Sequence, residues 1–393
     1  MAARSTLSAL KWLLLAPACL LSLQATAASF LAIDSSFGTP GVLAMSADGS
    51  TLVGASSGSS SFMWRADTGL QRILPLETRD YPLSQLWDVT PDGGIAVGLT
   101  DVPCCSYPVR VAATWTPASG WAPLASTPEI ANPYRYSARA ISDDGRIIVG
   151  HHQSCCGDRL TPVLWVDGVA QIPAGMPIGS SPGSISADGS VVVGNYAPLG
   201  SGRRDAFVWT EAGGFINLTG DTLACCDDAT AISADGRVVV GYVWQDGGYH
   251  AFRWTSPEGL RLLAMPDGFS GGLASDVTGD GALIVGQAFT TAWSAALWDD
   301  EHGMRLLQDV LTNELGLDLT GWQLTGAGAV SRDGRYVAGQ AIDPRGRHVA
   351  YVADLAPVPI PAVGWMLGPA LAVLAVRRKS IRRPPRPGFL QGL

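Results

Sequence analysis

Lysine is almost missing from this chain. Lys11 and Lys379 are its only two, and none lies between them. Taking away Arg4, Lys11 and the six basic residues after Val376 from the 26 leaves 18 cations in the middle, against all 34 acids. The central region therefore carries about 18 − 34 = −16 charges. Such a surface excludes nucleic acid as a partner. Histidine is scarce as well, with five in 393 residues. No Gly-x-Ser-x-Gly elbow and no zinc-protease motif occurs, and no nucleophile stands near a base and its orienter. No catalytic residue is assigned, and the chain reads as a non-enzyme. Long apolar runs are confined to the two ends.

A repeat fills the space between those ends. Its clearest copy is Ile232–Gly241, ISADGRVVVG. Seven Asp-Gly pairs recur: Asp48-Gly49, Asp92-Gly93, Asp144-Gly145, Asp188-Gly189, Asp235-Gly236, Asp280-Gly281 and Asp333-Gly334. Each is followed by an apolar, often valine-rich run and a closing glycine. Asp-Gly between apolar runs predicts a tight hairpin, with both turn residues at positive φ. The closing glycines, from Gly54 to Gly339, are 44 to 53 residues apart. A second motif ends at Trp64, Trp115, Trp165, Trp209, Trp254 and Trp298, each followed by a turn and another short strand. Four strands per period of this length are the mark of a propeller blade.

The ends of the repeat are incomplete in complementary ways. Phe30–Ile33 is a lone strand, and His348–Leu355 is a third strand with no fourth, with Tyr351 about where tryptophan is expected. Together they complete one blade. The reading is an all-β, seven-bladed β-propeller of four-stranded antiparallel blades, closed by strands from both termini, over residues 28–355. An insertion at Leu306–Gly326 fits a short helix or a long loop equally well. The recurring tryptophans read as blade-to-blade packing, while Trp121, Trp244 and Trp293 fall outside that register and are candidates for stacking on sugars.

The chain outside 28–355 reads as an address. Residues 1–27 have the charged start, apolar core and Ala25-Thr26-Ala27 exit of an export signal. Residues 356–361 form a proline-rich linker, 362–376 an uncharged apolar transmembrane segment, and 377–393 a basic tail that begins with Arg377, Arg378 and Lys379 as a basic stop. Once Cys19 leaves with the export signal, the cysteines are Cys104, Cys105, Cys155, Cys156, Cys225 and Cys226. An even number in an exported chain favours disulfides, with the connectivity left open. All three pairs are expected on the face opposite the Asp-Gly turns. No metal or cofactor is assigned. His151 and His152 beside Cys155-Cys156 read as a stapled loop, and Asp227-Asp228 as a polar turn.

Two resemblances accompany these readings. The sequence HAFRW…GLRLL…DVTGDGALIVG resembles the HAF family of extracellular repeats, over nearly all of Phe30 to Asp354, and that family implies no common activity. Val358-Pro359-Ile360-Pro361-Ala362, followed by an apolar stretch and arginines, resembles the PEP-CTERM sorting signal in its VPLPA variant. The residues from Ser380 to Leu393 run on past the point where such signals usually stop. The resemblance implies an exosortase-type sorting enzyme as partner, passage through the inner membrane, and delivery to the surface or matrix of a Gram-negative, exopolysaccharide-producing bacterium. An exopolysaccharide or a surface protein is the expected ligand. A polysaccharide-active propeller hydrolase or lyase is the alternative, marked by acids and aromatics gathered at the channel.

Overall fold

The computed structural model describes residues 28–34, 38, 40–56, 59–77, 83–103, 109–128, 130, 135–153, 160–220 and 226–356, which belong to one compact unit. They form seven four-stranded antiparallel sheets. Six are consecutive in sequence: blade one spans 40–73, blade two 84–123, blade three 136–171, blade four 180–217, blade five 228–262 and blade six 271–306. Blade seven combines Gln323–Val330, Tyr336–Ile342 and His348–Asp354 with the outer strand Ser29–Ile33. Ser29 pairs with Asp354 and Ile33 with Ala350, so the first strand locks onto the last. The expected closure by both ends is present.

Each of the seven repeat Asp-Gly pairs joins the innermost strand of a blade to the second, but the turn differs from the expected one. Four residues make the loop, and only the glycine has positive φ (68° to 76°). In blade four the Ser186 Oγ–H donates to Asp188 Oδ1 (2.7 Å), the Ser190 N–H donates to the same oxygen (2.9 Å), and the Val191 N–H donates to Ser186 Oγ (3.0 Å). The aspartate is there to accept hydrogen bonds, not to tolerate left-handed backbone. All seven blades repeat the pattern, with threonine replacing serine at Thr90 and Thr278. Two-residue Asp-Gly turns with both residues at positive φ do occur, at Asp167-Gly168 and Asp246-Gly247.

The closing glycine also has a steric cause. Each innermost strand carries a β-bulge, for example between Pro182 and Ser184. The bulge drives a carbonyl of that strand against the Cα of the glycine on the second strand. A Cβ on Gly194 would collide with the Ser181 carbonyl, and one on Gly98 with that of Gln85.

The tryptophans pack between blades, as expected. Trp64, Trp115, Trp165, Trp209 and Trp298 are buried, and Trp254 is half-buried. Two of their indoles reach backwards: the Trp165 N–H donates to Ala125 O (2.7 Å) and that of Trp209 to Ala174 O (3.1 Å), each in the segment leaving the previous blade. Blade seven departs from the expectation. Tyr351 pairs with the closing Gly339, the place that Phe62, Phe207 and Phe252 hold elsewhere, and Ala353 holds the tryptophan position. Phe30 pairs with Ala353, stacks on Tyr351 (5.4 Å between centroids) and meets Trp322 edge-on (5.0 Å). Trp322 comes from the insertion, which opens as a short helix, Leu307–Asp309 running into the π-helical turn Val310–Glu314. Leu307, Val310 and Leu311 are buried in the same core cluster as Tyr351. The inserted residues and the first strand thus fill the place of the missing tryptophan.

The export signal 1–27, the sorting motif Val358–Ala362, the transmembrane segment 362–376 and the basic stop Arg377, Arg378 and Lys379 lie outside the described residues. Among the described residues, no helix is long and apolar enough to cross a membrane. Cys104, Cys105, Cys155, Cys156 and Cys225 also lie outside them. Cys226 is half-buried and forms no disulfide with a described residue. It enters the first strand of blade five at the end away from Asp235-Gly236, on the face expected for the cysteines.

Candidate functional site

The innermost strands surround a central channel, and its wall is built in rings. The first ring is backbone, at the Asp-Gly face. The residue after each turn hydroxyl donates its N–H to the matching carbonyl of the next blade: Ala47 to Pro91 (3.0 Å), Asp143 to Ala187 (3.0 Å), Ala187 to Ala234 (3.1 Å), Ala234 to Gly279 (3.1 Å), Gly279 to Arg332 (3.0 Å) and Arg332 to Ala47 (3.1 Å). The seventh link is missing because Pro91 has no N–H to offer Asp143. At that break the Asp143 carboxylate takes the Arg332 guanidinium from blade seven (2.6 Å), an ion pair strung across the channel mouth.

The second ring is made by the bulges. The residue left unpaired in each innermost strand is Leu43, Trp87, Arg139, Gly183, Thr230, Ser275 and, in blade seven, Gly328. A bulge re-aims its side chain out of the sheet. The first six line a cavity of about 190 Å3. Leu43 and Gly183 are exposed although they lie on inner strands, so the cavity holds solvent. The guanidinium carbon of Arg139 stands 3.9 Å from the centre of the Trp87 ring, a cation–π contact between adjacent blades. Burial lowers the Arg139 pKa to about 10, against the opposing pull of Asp228.

Next to the bulge, five blades carry alanine or serine and two carry aspartate. Asp88 accepts the Val89 N–H (2.8 Å) and, in the following blade, the Ile141 N–H (3.0 Å). Asp276 accepts those of Val277 (2.8 Å) and Val330 (2.9 Å) in the same way. Both carboxylates pin one blade to the next. Burial pushes Asp88 up to about 6 and Asp276 to about 7, against these hydrogen bonds.

Above the bulges, toward the cysteine face, lies a polar layer. Asn195 donates to Asp228 Oδ2 (3.0 Å), and His151 Nδ1 and Ser181 Oγ are 3.2 Å apart. Burial pushes Asp228 up to about 6 and His151 down to about 3, with the Arg139 charge adding to the second shift. His151 is thus a neutral hydrogen-bonding group at ordinary pH. Asp227 accepts the Trp244 N–H (2.8 Å), so both residues of the acidic pair serve protein partners. Among the described residues, no three metal-ligating side chains gather.

The off-register tryptophans do not meet in one place. The Trp121 indole N–H donates to Leu74 O of the neighbouring blade (2.9 Å). Trp244 packs edge-on against Tyr249 (4.7 Å), and Trp293, 37% exposed, leans on Phe289 (5.0 Å). The residues that do converge are Trp87, Asp88, Arg139, Asp276 and Arg332, none of which stood out in the linear sequence. Aligning the repeats position by position picks them out, because each replaces a small or apolar residue of the other copies.

These features define a seven-bladed β-propeller with a polar, solvent-holding channel. Comparison with known proteins agrees at the level of fold. No protein-family model matches the chain, and no curated protein sequence does. Among solved structures it is similar to an oligogalacturonate lyase in complex with manganese (TM-score 0.52, 12% identity, covering 85% of this chain and 97% of that one). It is also similar to the oligogalacturonate lyase of Vibrio parahaemolyticus (0.51, 11%, 84% and 97%) and, more distantly, to TolB of Acinetobacter baumannii (0.43, 12%, 79% and 82%). At these identities the likeness shows the propeller fold alone.

Proposed function

We propose that this chain is a non-enzymatic, exported propeller that holds a ligand in its central channel, and that its C-terminal segment sorts it to the cell surface or extracellular matrix. One observation carries the binding role. The ring of bulge residues opens into a solvent-holding cavity with aromatic, cationic, hydroxyl and carboxylate groups, whereas the rest of the repeat is nearly uniform. An apolar plug would have spoken for a purely structural disc. The sorting role rests on Val358–Ala362, the apolar 362–376 and Arg377–Lys379, and it gives the chain an exosortase-type partner.

Asp88 and Asp276 speak against chemistry, since each already accepts two backbone N–H groups and neither has a partner base. They are also what favours a second reading, a polysaccharide hydrolase or lyase, because both face one cavity and hold their protons more tightly than ordinary carboxylates. A glycan-array screen of the full chain beside its Gly183→Trp variant tests the first reading. Gly183 is exposed and an added Cβ meets nothing closer than 3.7 Å, so the position admits a side chain, and the indole is expected to occupy the channel. Binding that survives this filling places the ligand elsewhere. New reducing ends or unsaturated sugars from a bound glycan would establish the second reading. For sorting, the intact mass of the surface form is expected to end between Pro359 and Ala362; a full-length mass means that the segment stays as an anchor.

A further inference from the structure

The channel holds a cation with no contact ion pair among the described residues, Asp228 attracting it only from farther off. Among the described residues, no carboxylate forms an ion pair with Arg139, and its Nε–H, though buried, has no hydrogen-bond partner. The Trp87 Nε1–H beside it is buried and unpartnered too. Arg332, the other channel cation, is taken by Asp143. Buried polar groups are rarely left unsatisfied, and a planar guanidinium held by an aromatic face is preorganised for a bidentate oxyanion.

The rest of the cavity restricts which anion can use it. Asp88, Asp276, Ser184 and Ser275 share the cavity with Arg139. An ionised carboxylate offers about four lone-pair sites, and Asp88 and Asp276 each spend two on backbone N–H groups. A phosphate at neutral pH brings only one or two O–H donors to these two acids. A molecule with one carboxylate and several hydroxyl donors satisfies both parts of the wall. The domain's overall negative charge does not forbid this, since charges on its outer face are screened within about 8 Å at physiological ionic strength.

We propose that the channel binds a uronic acid residue of a polysaccharide, its carboxylate on Arg139 and its hydroxyls on the free lone pairs of Asp88 and Asp276. This rests on the channel-binding reading above and gives it a ligand class.

The test is calorimetric titration of the purified full chain with trigalacturonate, triglucuronate, their methyl esters, maltotriose and an acetylated tri-aspartate peptide. The variants are Arg139→Gln, Arg139→Lys and Gly183→Trp. At least one uronate is expected to bind, with its ester and the Arg139→Gln variant each weakened ten-fold or more, Arg139→Lys falling between, and Gly183→Trp abolishing binding. If Arg139→Gln does not fold, the acid-against-ester comparison and Arg139→Lys decide. Equal affinity for acid and ester, an indifferent Arg139→Gln, no uronate binding, or tighter Arg139-dependent capture of the peptide would each overturn the proposal. Maltotriose binding that Gly183→Trp removes, without uronate binding, refutes the sugar acid and leaves the channel reading standing. Probe binding that Gly183→Trp leaves untouched removes both.

Discussion

The turn ring and the bulge ring lie a few residues apart on the same seven strands, and they differ in nearly every respect. In the turn ring each blade has the same three parts: a hydroxyl, an aspartate and a glycine. In the bulge ring the blades carry leucine, tryptophan, arginine, glycine, threonine, serine and glycine. Both are set by the backbone, one through a satisfied loop and the other through a residue the ladder leaves out. Where the fold needs a particular side chain, the chain repeats itself. Where the fold needs only a backbone bulge, the side chain is free to differ, and it faces the channel. Divergence between copies of a repeat therefore marks a site more clearly than any short motif in this sequence.

The strongest way to break this comparison is a pair of glycines in blade four. Gly194→Ala places a Cβ against the Ser181 carbonyl, where no rotamer change helps. A loss of about 3 kcal/mol or more is expected from the denaturant midpoint. Gly183→Ala, on the neighbouring strand in the bulge ring, meets nothing closer than 3.7 Å and should stay within about 0.5 kcal/mol of the parent. Equal losses would mean that the bulge position is structural after all. A smaller effect is expected in the turn ring. Ser186→Ala leaves the Val191 N–H and Asp188 without their shared partner and should lower stability by about 1–2 kcal/mol in the same measurement.

The gentlest test is pH, because the two regions pull in opposite directions. Asp92, Asp235 and Asp280 are held below the usual carboxylate value chiefly by their hydroxyl partners, and Asp144 and Asp188 chiefly by backbone N–H groups. Their folded pKa values lie below the unfolded one, so their stabilisation is lost as pH falls below about 3.8. Asp88, Asp228 and Asp276 have raised folded values, so the folded protein holds protons there that the unfolded chain has released. Stability then falls as pH rises from about 3.8 through about 6 for Asp88 and Asp228, and about 7 for Asp276. The thermal midpoint should peak where these windows meet, at about 3.8, with His151, whose folded value lies below its ordinary 6.5, offsetting part of the loss above it. A peak at neutral pH would show that channel water keeps the three carboxylates ordinary.

Much of the fold was legible because its causes are local. Hairpin loops, apolar second strands and interblade tryptophans recur at fixed spacing, and the unfinished ends count to one blade. The turn type was misread because Asp-Gly signals two different loops. The long loop uses aspartate as an acceptor, and only Asp167 and Asp246 take the left-handed form. Tyr351 was placed in the wrong slot because Ala353 holds the tryptophan position and the filling comes from Phe30 and Trp322, far away in sequence. Arg139 and Trp87 went unnoticed because a bulge adds one residue to a strand and shifts the alternation that marks inside from outside. The channel mouth was equally silent, since Asp143 and Arg332 are 189 positions apart.

The strand Ser29–Ile33 is among the first pieces of the described chain to be synthesised, and its partner His348–Asp354 is the last described strand. No earlier strand offers it a permanent seat. The clasp therefore fastens only once the whole polypeptide is available, and until then the first and last blades keep raw edges. Contacts across such a sequence separation form slowly. For the export proposed above, that delay would leave the circle open until the passage is complete.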